Sequence, residues 1–198
     1  MSRIEGPRRL GPFARLAGWI SKRDYGKVAE PLVVTAHHPG ILRGYGMLEW
    51  ETSRAHSVPE RLKDLAGIKA AALVGCEFCL DIASAIGCRS GVTAEQLAEL
   101  PRYRSSDSFS ELEKLVIDYA VAMTSTPADV PDALFASLRG HFSERQLVEL
   151  TSAIAIENYR ARFNWAFGIG SQGFTAGGAC ALPERPAAGP VPAGAGSG

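Results

Sequence analysis

Apolar residues recur at helical spacing through the second half of the chain. Downstream of Ser110 they form one stripe, which predicts a helix packed through that face: Leu112, Leu115, Val116, Tyr119 and Met123. A longer helix is predicted from Ser143 to about Phe167, over roughly 35 Å. Its centre, residues 153–156, is apolar on every side. We expect this segment to lie in the core and also to contact a second subunit of a homo-oligomer.

Hydroxyl residues mark the starts of helices along the chain. Each stands three residues before an acid or an amide, which is the spacing of a capping box: Ser57 with Glu60, Thr93 with Gln96, Ser110 with Glu113, and Ser143 with Gln146. Further helices are predicted from Pro39 through Trp50 and from Pro131 to Arg139, and no segment alternates as a strand would. The predicted fold class is therefore all-α.

The two ends of the chain differ from this helical middle. Residues 1–12 contain two Gly and two Pro residues and are expected to be flexible. Residues 181–198 are almost wholly Ala, Gly, Pro and Ser, which bury too little apolar surface to offset the entropy of ordering. We therefore predict a helical domain over residues 13–175, followed by a disordered tail over residues 181–198.

Charge and hydropathy narrow the range of functions. Lys plus Arg and Asp plus Glu are balanced at 21 each, and no basic cluster with interleaved aromatic residues is present. This argues against a nucleic-acid partner and favours small molecules or proteins. The sequence shows neither the pattern of an export signal nor that of a membrane-spanning segment. We therefore expect a cytoplasmic protein that does not bind membranes.

The segment Cys76-Glu77-Phe78-Cys79 carries the clearest chemistry. A helix-forming stretch over residues 61–74 leads to Gly75, a natural break, so a second helix is expected to begin at the cysteines. Thiols at a helix N-terminus lie near unpaired N–H groups and the positive end of the helix dipole, which favours their thiolates. The alternative is one continuous helix with both cysteines buried as inert apolar residues.

A zinc site is the other common use of two cysteines at this spacing. It needs two further ligands at suitable spacing, and the sequence offers no second pair of that kind. We expect no metal and no cofactor, and we interpret Cys88 and Cys180 as incidental. In a reducing compartment, a close cysteine pair is better explained by redox chemistry than by a structural role.

Several segments carry a family resemblance: Asp64, Cys76-Glu77-Phe78-Cys79, Gly87 and residues 91–97. Together with residues 110–123 and 158–164, they resemble the carboxymuconolactone decarboxylase and alkylhydroperoxidase D-like (AhpD-like) family. The resemblance covers most of residues 32–170. It implies an all-helical fold, homo-oligomers with shared helices, and thiol peroxidase or disulfide reductase chemistry.

The resemblance also implies roles for individual residues. Cys79 would attack a peroxide or disulfide substrate, Cys76 would resolve the product, and a separate dithiol would restore the pair. Peroxidase members carry a Glu and a His where this chain has Asp64 and Ala83. Asp64 is expected either to relay a proton through a water to Cys76 or to be a solvated residue on a helix face rich in Arg and Lys. Ala83 lies within about 40° of Cys79 on a helical wheel and cannot titrate, so slow peroxidase turnover is predicted.

Other polar residues are weaker candidates for the site. Asp81 points about 200° away from Cys79 on a helical wheel, so we expect it to face solvent or another helix. His37 and His38 are interpreted as surface or capping residues. Polar residues near the end of the long helix are interpreted as caps or interface residues rather than as the lining of a site: Asn158, Arg160, Arg162 and Asn164.

Two other functions stay open at this point. One is decarboxylation or isomerisation of a lactone-type acid without the cysteines, as in other branches of the family. The other is a non-catalytic role in redox sensing. Cysteine alkylation separates the first from thiol chemistry, because a cysteine-independent enzyme would keep its activity.

Overall fold

A computed structural model describes residues 2–184 of the chain. Within this range the structure contains nine α-helices and no strand, so the predicted all-α class is confirmed. The helices are α1 Pro12–Tyr25, α2 Glu30–Thr35, α3 Pro39–Thr52, α4 Glu60–Val74, α5 Glu77–Arg89, α6 Ala94–Glu99, α7 Glu111–Thr124, α8 Asp132–Arg139 and α9 Glu144–Phe167. A 3₁₀ turn, Leu100–Ser105, links α6 to the segment before α7. In residues 2–184 no helix has the length and hydropathy needed to span a bilayer.

Most of the predicted capping boxes form as expected. Thr93, Ser110 and Ser143 each accept the N–H of the residue three positions later, whose side chain accepts from the cap backbone in return. These caps begin α6, α7 and α9. The sequence predicted no helix before Pro39, yet α1 and α2 are present and each carries Pro in its first turn, where its missing N–H costs nothing.

The capping box predicted at Ser57 is wrong. Pro59 occupies the N-cap of α4, and the Ser57 N–H and hydroxyl instead donate to the carboxylate of Glu149 on α9. Glu60 accepts from Lys63 at 2.9 Å rather than from the backbone of Ser57. The Ser57 hydroxyl, which the local spacing predicted to cap a helix, therefore bonds to the distant carboxylate of Glu149 instead.

Helix α4 forms the centre of the fold and packs against α5, α7 and α9. Its small residues Ala70, Ala71 and Ala72 have no exposed surface, which lets neighbouring helices approach closely. The apolar centre of α9 faces this core on one side only, because Ile154 is fully buried whereas Ala155 is exposed.

Residues 169–184 form no helix and run back over α5 and α4; we call them the C-terminal strap. Asp81 fixes its start, accepting from the Ser171 hydroxyl at 2.8 Å and from backbone N–H groups of the strap. Lys69 fixes its end through an ion pair with Glu184 at 2.6 Å. The strap therefore carries contacts as far as residue 184, four residues into the predicted tail, and the domain bounds stay a prediction. Residues 185–198 lie outside the described part of the chain.

The expectation that Asp81 faces solvent or another helix is wrong. This carboxylate is buried against the strap. Burial alone would oppose ionisation, but backbone N–H groups and the Ser171 hydroxyl lower the pKa of Asp81 below its usual value. At the other end of the chain, the N–H of Arg3 donates to the carbonyl of Phe167 at 2.7 Å. The flexibility of residues 1–12 stays a prediction.

Candidate redox site

The backbone breaks between α4 and α5 at the position that the sequence predicted. Gly75 has a φ of 81°, in the left-handed region, and its N–H bonds back to the last turn of α4. Cys76 is then the N-cap of α5, and its Sγ accepts the N–H of Cys79 at 3.2 Å. The alternative of one continuous helix through both cysteines is therefore wrong.

Cys76 and Cys79 are joined by a disulfide, with a Cα–Cα distance of 5.3 Å. Both residues are buried, with 1% and 2% of their surface exposed, and they belong to the apolar cluster formed by α4, α5, α9 and the strap. The predicted pairing is present in the structure. Its reversibility stays a prediction.

The side-chain amide of Asn164 contacts both sulfurs. Its Nδ2 lies 3.3 Å from Cys79 Sγ and 3.7 Å from Cys76 Sγ, and the residue is 2% exposed. Its Oδ1 is buried and has no hydrogen-bond partner within residues 2–184. From the sequence, a cap or interface role was favoured for Asn164 over lining a site, and its contacts with both sulfurs agree with the less favoured alternative. A signal was available, since Asn164 follows Ala161 and Glu157 at helical spacing on one buried face of α9.

Ala83 lies one turn beyond Cys79 on α5, as predicted. It is partly buried and packs against the apolar cluster that contains both cysteines. The surroundings of Cys79 on this side are therefore apolar, and Ala83 itself adds no group that can carry a proton.

Asp64 does not join this site. Burial raises the pKa of its carboxyl, and the hydroxyl that opposes this shift belongs to Ser90. Ser90 is the C-cap of α5 and Cys76 its N-cap, so the two ends are about 20 Å apart at the standard rise per residue. One bridging water spans only about 6 Å between the groups it joins. None of the hydrogen bonds of the described residues joins Asp64 to a sulfur, and the relay from Asp64 to Cys76 stays a prediction.

The remaining candidates have structural partners. His38 Nδ1 accepts the N–H of Ile41 at 3.2 Å as the N-cap of α3, and His37 Nε2 donates to the carbonyl of Glu5 at 2.7 Å. Arg162 donates to the carbonyl of Thr124 at the end of α7, as expected of a helix cap. Within residues 2–184, no group of three or more His, Cys, Asp or Glu side chains is placed to hold a metal ion.

Arg160 joins a partly buried ionic cluster on the other side of α9. It binds Glu49 of α3 at 2.5 Å and Glu157 at 3.0 Å. Burial raises the pKa of Glu157, and one of its carboxylate oxygens has no partner within the described residues. No contact joins this cluster to the sulfurs, so we assign it to the packing of α3 on α9.

Comparisons with known proteins agree on the family. The profile of the carboxymuconolactone decarboxylase family matches residues 39–122. The protein YnjA of Escherichia coli (strain K12) is 33% identical over 172 residues, which cover 86% of this chain and 92% of YnjA. The protein YdfG of Bacillus subtilis (strain 168) is 27% identical over 117 residues, which cover 59% of this chain and 80% of YdfG.

Solved structures show the same fold. The debrominase Bmp8 superposes with a TM-score of 0.77 at 20% identity, covering 88% of this chain and 94% of Bmp8. The alkylhydroperoxidase AhpD core protein of Ralstonia eutropha JMP134 superposes with a TM-score of 0.75 at 18% identity. The match covers 87% of this chain and 94% of that protein. The similarity to solved structures shows that the fold is an AhpD-like helical fold. From the match with YnjA over most of the chain, together with the family profile, we conclude that this chain belongs to the carboxymuconolactone decarboxylase family.

Proposed function

We propose that this protein is a thiol-dependent oxidoreductase whose Cys76 and Cys79 alternate between dithiol and disulfide. The observation that carries the proposal is the disulfide at the N-terminus of α5, with one polar side chain against it. Structural disulfides stabilise mainly by restraining long loops of the unfolded chain. A bridge between residues three positions apart restrains little, so its burial at a helix N-terminus is better explained by redox chemistry.

The cycle for a hydroperoxide substrate follows from these two thiols. The Cys79 thiolate attacks the terminal peroxide oxygen, an S–O bond forms as the O–O bond breaks, and the released alkoxide takes a proton to become an alcohol. The Cys76 thiol then attacks the sulfenic acid of Cys79, which forms the disulfide and releases water. A dithiol reductant restores both thiols by exchange and is itself oxidised to a disulfide. Assigning the attack to Cys79 rests on the family resemblance.

A disulfide substrate would use the same pair. Cys79 would then form a mixed disulfide with one half of the substrate and release the other half as a thiol. Cys76 would displace the second half and close the Cys76–Cys79 bridge. Both sulfurs lie among apolar side chains, which favours substrates with an apolar body.

Reductive dehalogenation is a second candidate for the same two thiols. Its support is the fold of Bmp8, a debrominase, a variant of which, with alanine in place of a cysteine, was solved with 2,3,4-tribromopyrrole. Replacing an aryl bromine by hydrogen consumes two electrons and one proton and releases bromide. The two thiols supply both electrons and that proton by closing their disulfide, and the second thiol proton goes to solvent. At 22% identity the likeness supports only the fold, so a brominated pyrrole is a second substrate to assay.

We also propose that the protein forms a homo-oligomer. Large apolar residues of α3 and α9 are exposed, among them Leu48, Tyr159 and Val148. Covering them with a second copy would remove this surface from water. Light scattering at micromolar concentration tests the assembly, and a particle of 21.1 kDa would contradict it. The cytoplasmic location stays a prediction from the sequence.

Turnover of an organic hydroperoxide with a dithiol reductant tests the proposed function. Cys79→Ser should lower the rate by about a thousandfold or more, because the attacking thiolate is lost. Cys76→Ser should stop after one reaction with Cys79 left as a sulfenic acid. Cys88→Ser is the matched control, because Cys88 is an exposed free cysteine on the same helix, and it should keep the wild-type rate. Full activity in Cys79→Ser, or decarboxylation of a lactone-type acid that survives alkylation, would overturn the proposal.

A further inference from the structure

The sulfurs of the pair receive different hydrogen bonds. Cys76 Sγ accepts a backbone N–H of α5 at 3.2 Å, in the position of a helix cap. The side-chain contact of Cys79 Sγ is with Asn164 Nδ2 at 3.3 Å, and the same nitrogen lies farther from Cys76 Sγ, at 3.7 Å. The backbone N–H therefore stabilises negative charge on Cys76 Sγ, and the amide of Asn164 stabilises it on Cys79 Sγ.

The helix terminus by itself would place the negative charge of the reduced pair on Cys76. An N-cap sulfur receives the free N–H groups and the positive end of the dipole, and the effect weakens within the first turn. The proposed function nevertheless requires the attacking thiolate on Cys79. A second donor that stabilises charge on Cys79 is needed to reverse the order, and Asn164 occupies that position.

The unpartnered oxygen of Asn164 indicates that this amide gains a hydrogen-bond donor when the disulfide is reduced. A buried carbonyl without a donor is costly, and Asn164 Oδ1 has none within the described residues while the sulfurs are joined. A disulfide has no S–H group to offer. Reduction creates one next to this amide, since two electrons and one proton convert the disulfide into one thiolate and one thiol.

We propose that Asn164 selects Cys79 as the attacking thiol: its Nδ2 donates to the Cys79 thiolate while its Oδ1 accepts the S–H of Cys76. This inference rests on the proposed function and deepens it. Electrons come from the dithiol reductant, and the retained proton sits on Cys76 Sγ, facing Oδ1. The amide therefore satisfies both of its polar ends in the reduced protein and only one in the oxidised protein.

Thiol pKa values measured one cysteine at a time test this selection. The background is the full chain with Cys88 and Cys180 replaced by Ser. Cys76→Ser leaves Cys79 alone, Cys79→Ser leaves Cys76 alone, and the pH dependence of alkylation by iodoacetamide reports each pKa. Asn164→Leu should raise the pKa of Cys79 by about one unit or more, a tenfold loss of thiolate, because a charged hydrogen bond is removed. The pKa of Cys76 should shift by less than half as much.

A matched control separates this effect from general damage to α9. Asn158→Leu removes another amide of the same helix, one that donates to Thr124 rather than to sulfur, and it should leave both thiol pKa values unchanged. If Asn164→Leu does not fold, Asn164→Asp keeps the size of the side chain and replaces the donor by an acceptor. It should raise the pKa of Cys79 at least as far.

The equilibrium with glutathione gives a second readout in the protein that keeps both site cysteines. Asn164→Leu should shift it about tenfold toward the disulfide, or about 30 mV for a two-electron couple, since the dithiol form loses both of its bonds to the amide. Equal pKa shifts at the two cysteines, or no shift at Cys79, would overturn the inference. Absence of turnover together with the expected pKa pattern would instead overturn the proposed function alone.

Discussion

Helices α4 and α9 meet through a polar side chain of α9 near each end of α4. Near the start of α4, Glu149 receives Ser57, Val58 and Lys63, a group we call the Glu149 clamp. Near its end, Asn164 contacts the sulfurs of Cys76 and Cys79. The first joins α9 to the start of α4 and the second joins α9 to the start of α5, and they differ in how completely their polar atoms are paired.

The Glu149 clamp is fully paired. One carboxylate oxygen accepts from Lys63 at 2.8 Å and from the Val58 N–H at 3.2 Å, and the other accepts from the N–H and hydroxyl of Ser57. Burial opposes ionisation, but these bonds lower the pKa of Glu149 to about 2. The clamp therefore holds the start of α4 to α9 and leaves no lone pair for a ligand.

The Asn164 end is incompletely paired. One amide oxygen has no donor within residues 2–184, and the cysteines beside it lie in an apolar cluster. Complete pairing accompanies a structural role at the Glu149 clamp, whereas at the sulfur end the unpaired Asn164 Oδ1 lies beside the pair whose reduction we propose. Substitutions in the clamp should therefore change stability, and substitutions at the sulfur end should change reactivity.

The largest difference between an effect on stability and an effect on thiol reactivity is expected at the Glu149 clamp. Glu149→Gln removes the charge that faces Lys63 and should lower the free energy of unfolding at pH 7 by about 2–3 kcal/mol. Thiol reactivity should not change, because the sulfurs lie at the other end of α4. Urea unfolding measures the first and alkylation rates measure the second. Glu144→Gln is the control, since Glu144 is exposed on the same helix, and it should cost about 0.5 kcal/mol or less. A matching loss in both variants would contradict the structural role of the clamp.

The clamp also predicts a pH dependence of stability. The pKa of Glu149 is lowered from 4.5 to about 2 on folding, so the unfolded chain binds a proton more readily between these values. The contribution of the clamp is present above pH 4.5 and is lost as the pH falls toward 2. Urea unfolding between pH 2 and 6 should show a steeper decline for the wild type than for Glu149→Gln. Parallel curves would contradict this assignment.

A smaller effect is expected at Ala83. Ala83→His places a proton donor one turn from Cys79 and should raise the rate of hydroperoxide reduction by about tenfold. We expect less than the full effect of a general acid, because Ala83 packs against an apolar cluster that offers the ring no hydrogen-bond partner. Single-turnover oxidation across pH measures it, with Ala83→Gln as a control of similar reach that cannot titrate. Equal rates in the two variants would show that the missing proton donor does not limit turnover.

The smallest effect is expected at Asp64. Asp64→Asn should change the rate of thiol oxidation by less than about twofold, because none of the hydrogen bonds of the described residues joins Asp64 to either sulfur. The same single-turnover assay measures it. A tenfold loss of rate would instead support the proton relay that the family resemblance implied.

Local patterns predicted much of the helical framework. Capping boxes at Thr93, Ser110 and Ser143 and the break at Gly75 depend on residues a few positions apart, so the sequence alone contains the signal. Ser57 shows where this reasoning fails, because Glu149 competes for its hydroxyl from a distant part of the chain.

The candidate site was only half predictable for the same reason. The pairing of Cys76 with Cys79 follows from their spacing, whereas the contact with Asn164 depends on how α9 packs against α4 and α5. The role of Asp64 stays a prediction, because a resemblance gives an order along the chain and no distance in space. The strap was missed because Asp81 and Lys69 bind it through contacts that no local pattern records.

The most direct test of the account is a titration of the fully reduced protein with one equivalent of an organic hydroperoxide. Peptide mass spectrometry without reduction should find one Cys76–Cys79 disulfide for each alcohol molecule formed. Cys88 and Cys180 should stay free, and a dithiol should restore the pair for a second equivalent. Free Cys76 and Cys79 in a folded protein after the peroxide is consumed, or oxidation confined to Cys88 and Cys180, would contradict the central claim.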